Sequence, residues 1–446
     1  MKKILLLGAG RSSGALINYL LENASTDDYI LRVGDRSFES AIDKTGNHPK
    51  AQPFSFDVEN IEQRGKEIGE ADIIISLLPP TLHILAAKDC LKFKKNLVTA
   101  SYISPELLAM DEDVKKLGLL FLNECGLDPG IDHMSAVEII HRLKQQDAEI
   151  KSFKSYTGGL ITPESNDNPW GYKFTWNPRN VIVAGQSTAS YIMNGKYRYI
   201  PYNRLFSEIT RIEIDGYGKY DGYANRDSLA YRKHYGIENI PTLIRGTLRN
   251  EGYCSAWQVF VTLGITDDTF DVADLENLTY SQFVEAFIPA SVFGATLEER
   301  ISRLCNIDPD GPAMEKIRFT GILDDKKIGL KKATPAQILQ HLLEQKWVLK
   351  ANDKDMILMQ HQFEFSIDGQ AKILSSSLVV NGDDNVQTAM AKTVGLPLGI
   401  ASRLILNGTI KLCGIHIPVL EEIYNPILKE LTNMGIRFVE TEKNIS

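Results

Sequence analysis

The first fourteen residues constrain the fold of this chain most strongly. An apolar run at 4–7 is followed directly by the glycine-rich segment 8–14, GAGRSSG. A short run without polar alternation is typical of a strand buried on both faces. Apolar residues at helical spacing then follow between 15 and 20, and a second apolar run covers 29–33. This strand–helix–strand order predicts a parallel sheet covered by helices.

The glycine spacing in this segment, G-x-G-x-x-x-G, favours a dinucleotide-binding loop. Gly8 permits a tight turn, and Gly10 lets the backbone approach a pyrophosphate. The N–H groups at the helix start and the positive end of its dipole stabilise phosphate charge. A plain strand-to-helix turn is the alternative reading, which the surrounding strand–helix–strand context disfavours.

Four later apolar runs repeat the pattern, at 54–56, 71–78, 96–100 and 118–122. In open parallel sheets, ligands bind at the carboxyl ends of the strands. The cofactor-binding residues predicted at these ends are Gly8, Gly10, Arg11, Ser12, Ser13, Asp35, Arg36, Asp57, Leu77, Leu78, Val98 and Thr99.

Two of these side chains bear on which dinucleotide binds, and a third bears on the adenine. Asp35 suits ribose hydroxyls, whereas Arg36 suits a 2′-phosphate. Because a carboxylate would repel that phosphate, we expect NAD(H) slightly ahead of NADP(H). Asp57 either accepts a hydrogen bond from an adenine amino group or caps a helix that begins at residue 58.

Composition sets the remaining bounds. The chain has 446 residues, 43% hydrophobic and 24% charged, which predicts two or three domains. A net charge of −8 without a polybasic block argues against nucleic acid as a partner. Five scattered cysteines without a CxxC pair predict a reduced compartment and no metal site. Since no window approaches the roughly 20 apolar residues of a membrane helix, we expect a cytoplasmic protein.

A polar turn follows the last of these strands, at 123–133. Asp128 there either binds a substrate ammonium group or stabilises the turn through its own backbone. His133 and Cys125 are weaker candidates, since a lone histidine early in a helix is commonly solvated and a lone cysteine commonly fills an apolar site.

Seven segments spread along the chain carry a family pattern. They are 100–105 (ASYISP), 126–133 (GLDPGIDH), 158–160 (GGL), 168–176 (NPWGYKFTW), 225–228 (NRDS), 243–249 (LIRGTLR) and 389–397 (AMAKTVGLP). In this order they resemble the saccharopine reductase family almost from end to end. The resemblance implies a glutamate-forming saccharopine dehydrogenase activity, which interconverts saccharopine with glutamate and 2-aminoadipate 6-semialdehyde using a nicotinamide cofactor.

The resemblance also implies site residues. The substrate-binding positions are Ser101, Tyr102, Asp128, Arg226, Thr247, Leu248 and Arg249, and Trp176 is assigned to the cofactor. A guanidinium fork is well shaped to hold one of the three carboxylates of saccharopine, so Arg245 joins Arg226 and Arg249 as a candidate clamp. Asp128, His133 and Lys173 are the candidates for proton transfer, and Lys173 could instead neutralise a carboxylate or emerge from an aromatic cluster.

The expected architecture is α/β: a Rossmann-type, doubly wound parallel sheet domain plus an α+β substrate and dimerisation domain with a helical insertion. The expected bounds are 1–130 with 386–446, 131–270 with 346–385, and 271–345 for the insertion. Helices are expected at 389–394 and 397–406, stopped by Gly395 and Gly408. Rival functions are a carboxynorspermidine-type reductive amination and a catalytically silent nucleotide-binding protein, and a homodimer is expected.

Overall fold

The structure is a computed structural model that describes residues 1–184 and 186–445. Its strands are β1 (Lys2–Leu7), β2 (Tyr29–Asp35), β3 (Ala51–Ser55), β4 (Ile73–Ser76), β5 (Asn96–Thr99), β6 (Leu120–Leu122), β7 (Glu149–Ile161), β8 (Ala189–Met193), β9 (Lys196–Ile200), β10 (Ile209–Ile214), β11 (Gly218–Ala224), β12 (Thr242–Asn250), β13 (Asp355–Ile367), β14 (Gln370–Asn381), β15 (Gly414–His416) and β16 (Val439–Asn444).

The helices follow the same chain order. They are α1 (Gly14–Asn23), α2 (Phe38–Thr45), α3 (Ile61–Glu70), α4 (His83–Phe93), α5 (Pro105–Leu108), α6 (Asp111–Lys116), α7 (Ile131–Gln145), α8 (Pro178–Ile182), α9 (Tyr231–His234), α10 (Tyr253–Leu263), α11 (Tyr280–Glu285), α12 (Leu297–Cys305), α13 (Pro312–Thr320), α14 (Pro335–Lys346), α15 (Ala389–Leu406) and α16 (Glu421–Asn433).

The chain divides into two compact units. Unit 1 contains 1–148 and 378–439, and unit 2 contains 149–377 and 440–446. These bounds differ from the expected ones at 131–148, 378–385 and 440–445, and the segment 271–345, expected as a separate insertion, lies within unit 2. Residues 131–148 lie in unit 1 because α7 packs on α16 there. Residues 440–445 lie in unit 2 because β16 joins the sheet of that unit.

Unit 1 is built on a seven-stranded sheet with the order β15-β6-β5-β4-β1-β2-β3, in which the neighbouring strands pair in parallel. The central strands β1 and β4 are apolar runs buried on both faces, as the sequence predicts. The strand order reverses between β1 and β4, which is where doubly wound sheets bind ligands. The predicted Rossmann-type fold of this part of the chain is confirmed.

One helix of unit 1 corrects the sequence-based expectation. α15 runs without a break from Ala389 to Leu406, through Gly395 and Pro397, where two helices were expected. A Cβ on Gly395 would lie 2.9 Å from the Cβ of Leu16, so glycine lets α15 pack closely on α1. α15 is long and apolar enough to cross a membrane by composition, but 72% of it is buried within the structure. It is a core helix of unit 1.

Unit 2 is built on a nine-stranded mixed sheet. β10, β11, β12, β7, β13, β14 and β16 follow one another across it, and β8 extends from β12 to β9. β12 pairs with β7 in parallel, whereas β7 and β13 pair antiparallel. The helices α10 to α14 surround an aromatic core that contains Trp170, Trp257 and Trp347. Unit 2 therefore combines strands and helices, which confirms the expected second domain type.

Candidate active site

Residues 8–13 form the turn between β1 and α1. Gly8 has a φ of +103°, and a Cβ added there would lie 3.0 Å from the carbonyl oxygen of Leu77. Its N–H donates to the carbonyl of Gly34 at 2.8 Å, which ties the turn to β2. A Cβ on Gly10, by contrast, would meet no described atom within 4 Å. The fold requires glycine at position 8, whereas Gly10 leaves open space beside the loop.

Arg11, Ser12 and Ser13 form a single 3₁₀ turn that leads into α1. The N–H and Oγ of Ser13 both donate to the carbonyl of Gly10, at 3.2 and 2.9 Å. The first N–H groups of a helix lack partners within the helix and attract anions. Together with the open space at Gly10, this turn fits the pyrophosphate of a dinucleotide.

The charged tip of β2 is arranged differently from the expectation. The carboxylate of Asp35 accepts hydrogen bonds from the N–H groups of Ala9 at 2.7 Å and Ser37 at 3.0 Å. Arg36 is exposed and pairs with Glu59 at 2.7 Å. Asp35 is therefore committed to the backbone, and Arg36 is the side chain that reaches outward.

Asp57, for which two roles were open, lies in the turn that precedes α3. Its Oδ1 accepts from the N–H of Glu59 at 3.0 Å and lies 3.6 Å from the Arg36 guanidinium. α3 begins at Ile61, with Asn60 as its cap, and not at residue 58. Asp57 thus stabilises a turn next to Arg36, and its carboxylate is half exposed.

The predicted cofactor residues of β4 and β5 lie at the same sheet edge as the glycine loop. Leu77 follows β4, and its N–H donates to the carbonyl of Leu7 at 2.8 Å. Leu78 is half-buried beside it, and Val98 and Thr99 end β5 as buried residues. Because β5, β4 and β1 are neighbours, these carboxyl ends meet at one edge, as the sequence predicts.

Ser101 is held by a buried histidine that the sequence analysis did not select. The Oγ of Ser101 lies 2.7 Å from Nε2 of His83, and Nδ1 of His83 lies 2.8 Å from Oγ of Ser76. Burial lowers the pKa of His83 to about 4. The imidazole is therefore neutral at pH 7, with one nitrogen donating and the other accepting. These three residues join the ends of β4 and β5.

A second histidine lies on the other side of the same segment. His133 is fully buried, with Nε2 2.9 Å from Oε2 of Glu124 and Nδ1 3.6 Å from Oδ2 of Asp132. The other carboxylate oxygen of Glu124 accepts from the N–H of Ile103 at 3.3 Å. The N–H of Glu124 donates to the carbonyl of Ser101 at 3.1 Å. His133 therefore joins two loops and has no exposed surface through which to meet a substrate.

Asp128 and Tyr102 lie in these two loops and are half-buried. Asp128 is followed by a cis peptide bond to Pro129, inside a tight turn. Gly130 closes that turn with a φ of +147°, and a Cβ there would lie 2.0 Å from the carbonyl oxygen of Gly126. Of the three proton-transfer candidates, Asp128 is the one whose side chain is partly accessible within a loop of unit 1.

The predicted arginines of unit 2 have different surroundings. Arg226 is exposed in the turn after β11, with a φ of +48°. Arg245 is buried, with its guanidinium 4.3 Å from the ring centre of Tyr231. Thr247 is half-buried and Leu248 fully buried, both within β12. Arg226 thus has the most accessible guanidinium of the predicted clamp residues.

Arg249 ends this stretch inside the aromatic core of unit 2. Its guanidinium lies 5.2 and 5.3 Å from the ring centres of Tyr172 and Tyr253. Nη1 donates to the carbonyl of Leu248 at 2.9 Å, and only 4% of the residue is exposed. These contacts are those of a packed core residue, in contrast to Arg226.

Lys173 is likewise enclosed in unit 2. Its ammonium lies 2.7 Å from Asp353 and 2.9 Å from Asp167, and its side chain is 1% exposed. Both carboxylates neutralise the charge of Lys173 within the fold of unit 2. Trp176, which the resemblance assigns to the cofactor, is half-buried in the same unit and donates from Nε1 to the hydroxyl of Tyr172 at 3.2 Å.

Cysteine and metal chemistry have no visible centre in the described part of the chain. Cys125 is buried, its Sγ lies 3.6 Å from the carbonyl of Pro397, and burial raises its pKa. Within 1–184 and 186–445, no group of three or more His, Cys, Asp or Glu side chains is arranged to hold a metal ion.

Sequence reasoning missed three residues that the fold brings to this edge: Ser76, His83 and Lys44. Lys44, in the last turn of α2, donates from Nζ to the carbonyl of Ala9 at 2.8 Å. Ser76 ends β4, so the strand-end rule could have found it. His83 and Lys44 lie within helices, where the sequence carries no comparable signal.

Comparison with known proteins gives a consistent picture. Residues 4–122 match the family model described as "Saccharopine dehydrogenase NADP binding domain", and 126–436 match "Saccharopine dehydrogenase C-terminal domain". The chain is 33% identical to "Saccharopine dehydrogenase [NADP(+), L-glutamate-forming]" of Saccharomyces cerevisiae, over 96% of each protein. The solved apo structure of that yeast enzyme superposes with a TM-score of 0.88 at 31% identity, covering all of both chains.

Longer relatives also match. The bovine "Alpha-aminoadipic semialdehyde synthase, mitochondrial" is 35% identical over 98% of this chain. The chain spans about half the length of this relative and of the proteins of the same name in Mus musculus and Rattus norvegicus, 47% in each case. Homospermidine synthase from Legionella pneumophila, at 11% identity and a TM-score of 0.57, shares the fold alone.

These matches correct the expected lean toward NAD. The family model that matches residues 4–122 is that of an NADP-binding domain, so the nicotinamide cofactor favoured is NADP. The physical reason lies in Asp35, whose carboxylate is turned into the backbone and does not face outward as the repulsion argument required. With both family models matched along most of its length, the chain belongs to the saccharopine dehydrogenase family.

Proposed function

We propose that this chain is an NADP-dependent, L-glutamate-forming saccharopine dehydrogenase, an oxidoreductase that acts on the CH–NH group of a secondary amine. The observation that carries the proposal is the match to the yeast enzyme of that name. The match covers 96% of both proteins, and the two chains have the same fold throughout. The dinucleotide loop of unit 1 supports it, because Gly10 leaves room for a pyrophosphate. The substrates are then saccharopine in one direction and glutamate with 2-aminoadipate 6-semialdehyde in the other.

The nicotinamide, when bound, exchanges a hydride with the carbon that carries the secondary amine. The protein binds and orients the reactants. The turn of Arg11, Ser12 and Ser13 holds the pyrophosphate at the start of α1. Arg36 is exposed and held by surface carboxylates that a 2′-phosphate can replace, which suits NADP.

For the substrate we propose Ser101 and Tyr102 as polar contacts and Arg226 as the carboxylate clamp. Arg226 is the exposed guanidinium among the three candidates, whereas Arg245 and Arg249 are buried against aromatic rings. Asp128 is the proposed proton-handling group because its side chain is partly accessible. His133 and Lys173 are enclosed by carboxylates, so we assign them to holding the fold.

The test is absorbance of reduced nicotinamide with purified protein and saccharopine, run in parallel with NADP⁺ and NAD⁺. We expect reduction of NADP⁺, and the reverse reaction from glutamate and the semialdehyde with NADPH. Silence in both directions with both cofactors would overturn the activity. Faster reduction of NAD⁺ than of NADP⁺ would overturn the cofactor assignment but not the assignment of saccharopine as the substrate. The expected homodimer is tested separately by the molar mass of the protein, measured by light scattering as it elutes from a size-exclusion column.

A further inference from the structure

Lys44 lies outside the glycine motif in the sequence, but its side chain contacts the loop that the motif forms. From the last turn of α2, its ammonium donates to the carbonyls of Ala9, at 2.8 Å, and of Gly10, and to Oγ of Ser13, at 3.0 Å. An ammonium has three N–H donors. All three therefore have acceptors within the loop between β1 and α1.

These contacts fix which way the loop faces. A peptide unit whose carbonyl points to Lys44 directs its N–H away from Lys44, because the two groups are on opposite sides of the unit. The N–H groups that follow Ala9 and Gly10 belong to Gly10 and Arg11, so they face away from the lysine. An added Cβ at Gly10 meets no described atom within 4 Å, so there is open space beside the loop.

Charge gives Lys44 a second effect. The carboxylate of Asp35 holds the same loop through the N–H of Ala9, at 2.7 Å. A carboxylate at that point opposes binding of an anionic cofactor, and a nearby ammonium offsets it. Asp35 acts on Lys44 in return, since its charge favours the protonated amine.

We propose that Lys44 is a cofactor-positioning residue: its ammonium holds the loop in the conformation that receives the phosphates and cancels the charge of Asp35. This inference rests on the proposed function, because it takes NADPH as the ligand. It assigns dinucleotide affinity to a helix residue that no glycine pattern contains.

The surroundings of Lys44 make the proposal measurable by pH. Burial lowers the pKa of Lys44 to about 8, against the opposing charge of Asp35. Six other charged residues lie near Lys44 in the fold. They are Glu39 and Asp43 on α2 itself, Glu22 on α1, Arg32 and Asp35 on β2, and Arg11 in the loop. Among the groups the structure describes, Asp35 is the one whose charge acts appreciably on Lys44.

Bound phosphate favours the protonated amine, so the pKa of Lys44 is higher in the complex than in the free protein. The dissociation constant for NADPH then rises with pH above about 8, by up to about tenfold per pH unit. Lys44→Arg keeps the charge throughout this range, and Lys44→Met removes it while preserving most of the chain length.

The experiment is fluorescence titration of the full chain with NADPH at pH values from 7 to 9.5. We expect Lys44→Met to raise the dissociation constant about tenfold or more at pH 7, the order expected for a lost charged hydrogen bond. We expect Lys44→Arg to bind without the rise above pH 8. Lys66→Met, which removes an exposed lysine on α3, should match the wild type at every pH.

Each outcome decides the proposal. An unchanged dissociation constant for Lys44→Met, or a wild-type pH profile that Lys44→Met and Lys44→Arg both retain, overturns it. If Lys44→Met does not fold, the profile of Lys44→Arg alone decides. Failure of the wild-type chain to bind either NADPH or NADH overturns the proposed function and this inference with it. Normal binding by the wild type together with no effect of the Lys44 variants overturns this inference alone.

Discussion

Nε2 of His83 lies 2.7 Å from Oγ of Ser101, so a histidine at the start of α4 orients a hydroxyl in the loop after β5. The other ring nitrogen is fixed by Ser76 at 2.8 Å. Because the ring is neutral and bonded at both nitrogens, the tautomer and the direction of the Ser101 hydroxyl are set together. Ser101 thus receives its orientation from residues that do not themselves reach the loop surface.

We expect Ser76→Ala to weaken substrate binding through this chain. Without the hydrogen bond to Nδ1, neither the tautomer of His83 nor the direction of the Ser101 hydroxyl is fixed. We expect substrate binding to weaken by about 1 kcal/mol, which is a rise of about fivefold in KM for saccharopine. The NADPH dissociation constant should not change. Ser402→Ala is the matched control, since this buried serine of unit 1 bonds the carbonyl of Leu398 within α15. Equal KM effects in the two variants would contradict the role of His83.

Acid stability should also report on His83. Its pKa is lowered from 6.5 to about 4 by burial, so the folded chain resists protonation that the unfolded chain accepts. The neutral ring therefore makes its full contribution to the free energy of unfolding above pH 6.5. This contribution is lost as pH falls from 6.5 toward 4, because the unfolded chain takes up a proton that the folded chain does not. The loss amounts to up to about 3 kcal/mol. Urea unfolding between pH 7 and 4 should show a shallower acid loss in His83→Asn, and parallel curves would refute this.

Gly8 and Gly10 should respond differently to alanine. Gly8→Ala places a Cβ 3.0 Å from the Leu77 carbonyl oxygen at a φ of +103°, so we expect a lower melting temperature. Gly10→Ala meets no described atom and should melt like the wild type. Its methyl group nonetheless occupies the space proposed for the pyrophosphate, and we expect NADPH binding to weaken about tenfold or more. Calorimetry and titration of both variants separate the two effects.

Lys173 should matter for stability and not for proton transfer. Lys173→Met leaves Asp353 and Asp167 without their buried cation, at a cost of about 3 to 5 kcal/mol in the free energy of unfolding. Lys350→Met is the control, because it removes the exposed partner of the same Asp167 and should cost below about 1 kcal/mol. The folded fraction of Lys173→Met should keep the wild-type pH profile of kcat. A changed profile would restore Lys173 as a proton carrier.

The pH dependence of this cluster has a definite sign. Hydrogen bonds from Lys350 and Lys173 lower the pKa of Asp167 to about 2. Its contribution to stability is therefore present above about pH 4 and is lost as pH falls toward 2. Because Asp167 is partly exposed, solvent screening keeps this contribution small. Unfolding curves of Asp167→Asn and wild type should converge at low pH.

Much of unit 1 follows from local sequence pattern. The apolar runs of β1 and β4 and the glycine spacing at 8–14 predicted a parallel sheet and its loop, because strand burial and tight turns depend on neighbouring residues. Patterns failed where distant segments meet. Gly395 was expected to end a helix, yet it lies inside α15, because Leu16 of α1 packs against it.

The candidate site divides in the same way. Strand ends in the sequence located Asp35, Leu77 and Thr99, since the carboxyl ends of parallel strands meet at one edge. The sequence alone could not tell that Asp35 turns into the backbone while Arg36 reaches outward, and this decided the cofactor expectation wrongly. Side-chain direction depends on hydrogen bonds to residues far along the chain, here the N–H of Ala9.

The sequence by itself determined the sheet type, the dinucleotide loop and the family resemblance, because these rest on periodicity and short fixed spacings. Only the tertiary structure decided that Lys44 holds the glycine loop, that His83 orients Ser101 and that Lys173 is enclosed by two carboxylates. A helix pattern gives the position of a lysine or histidine along the helix. Its partners come from other elements, and packing in three dimensions selects them.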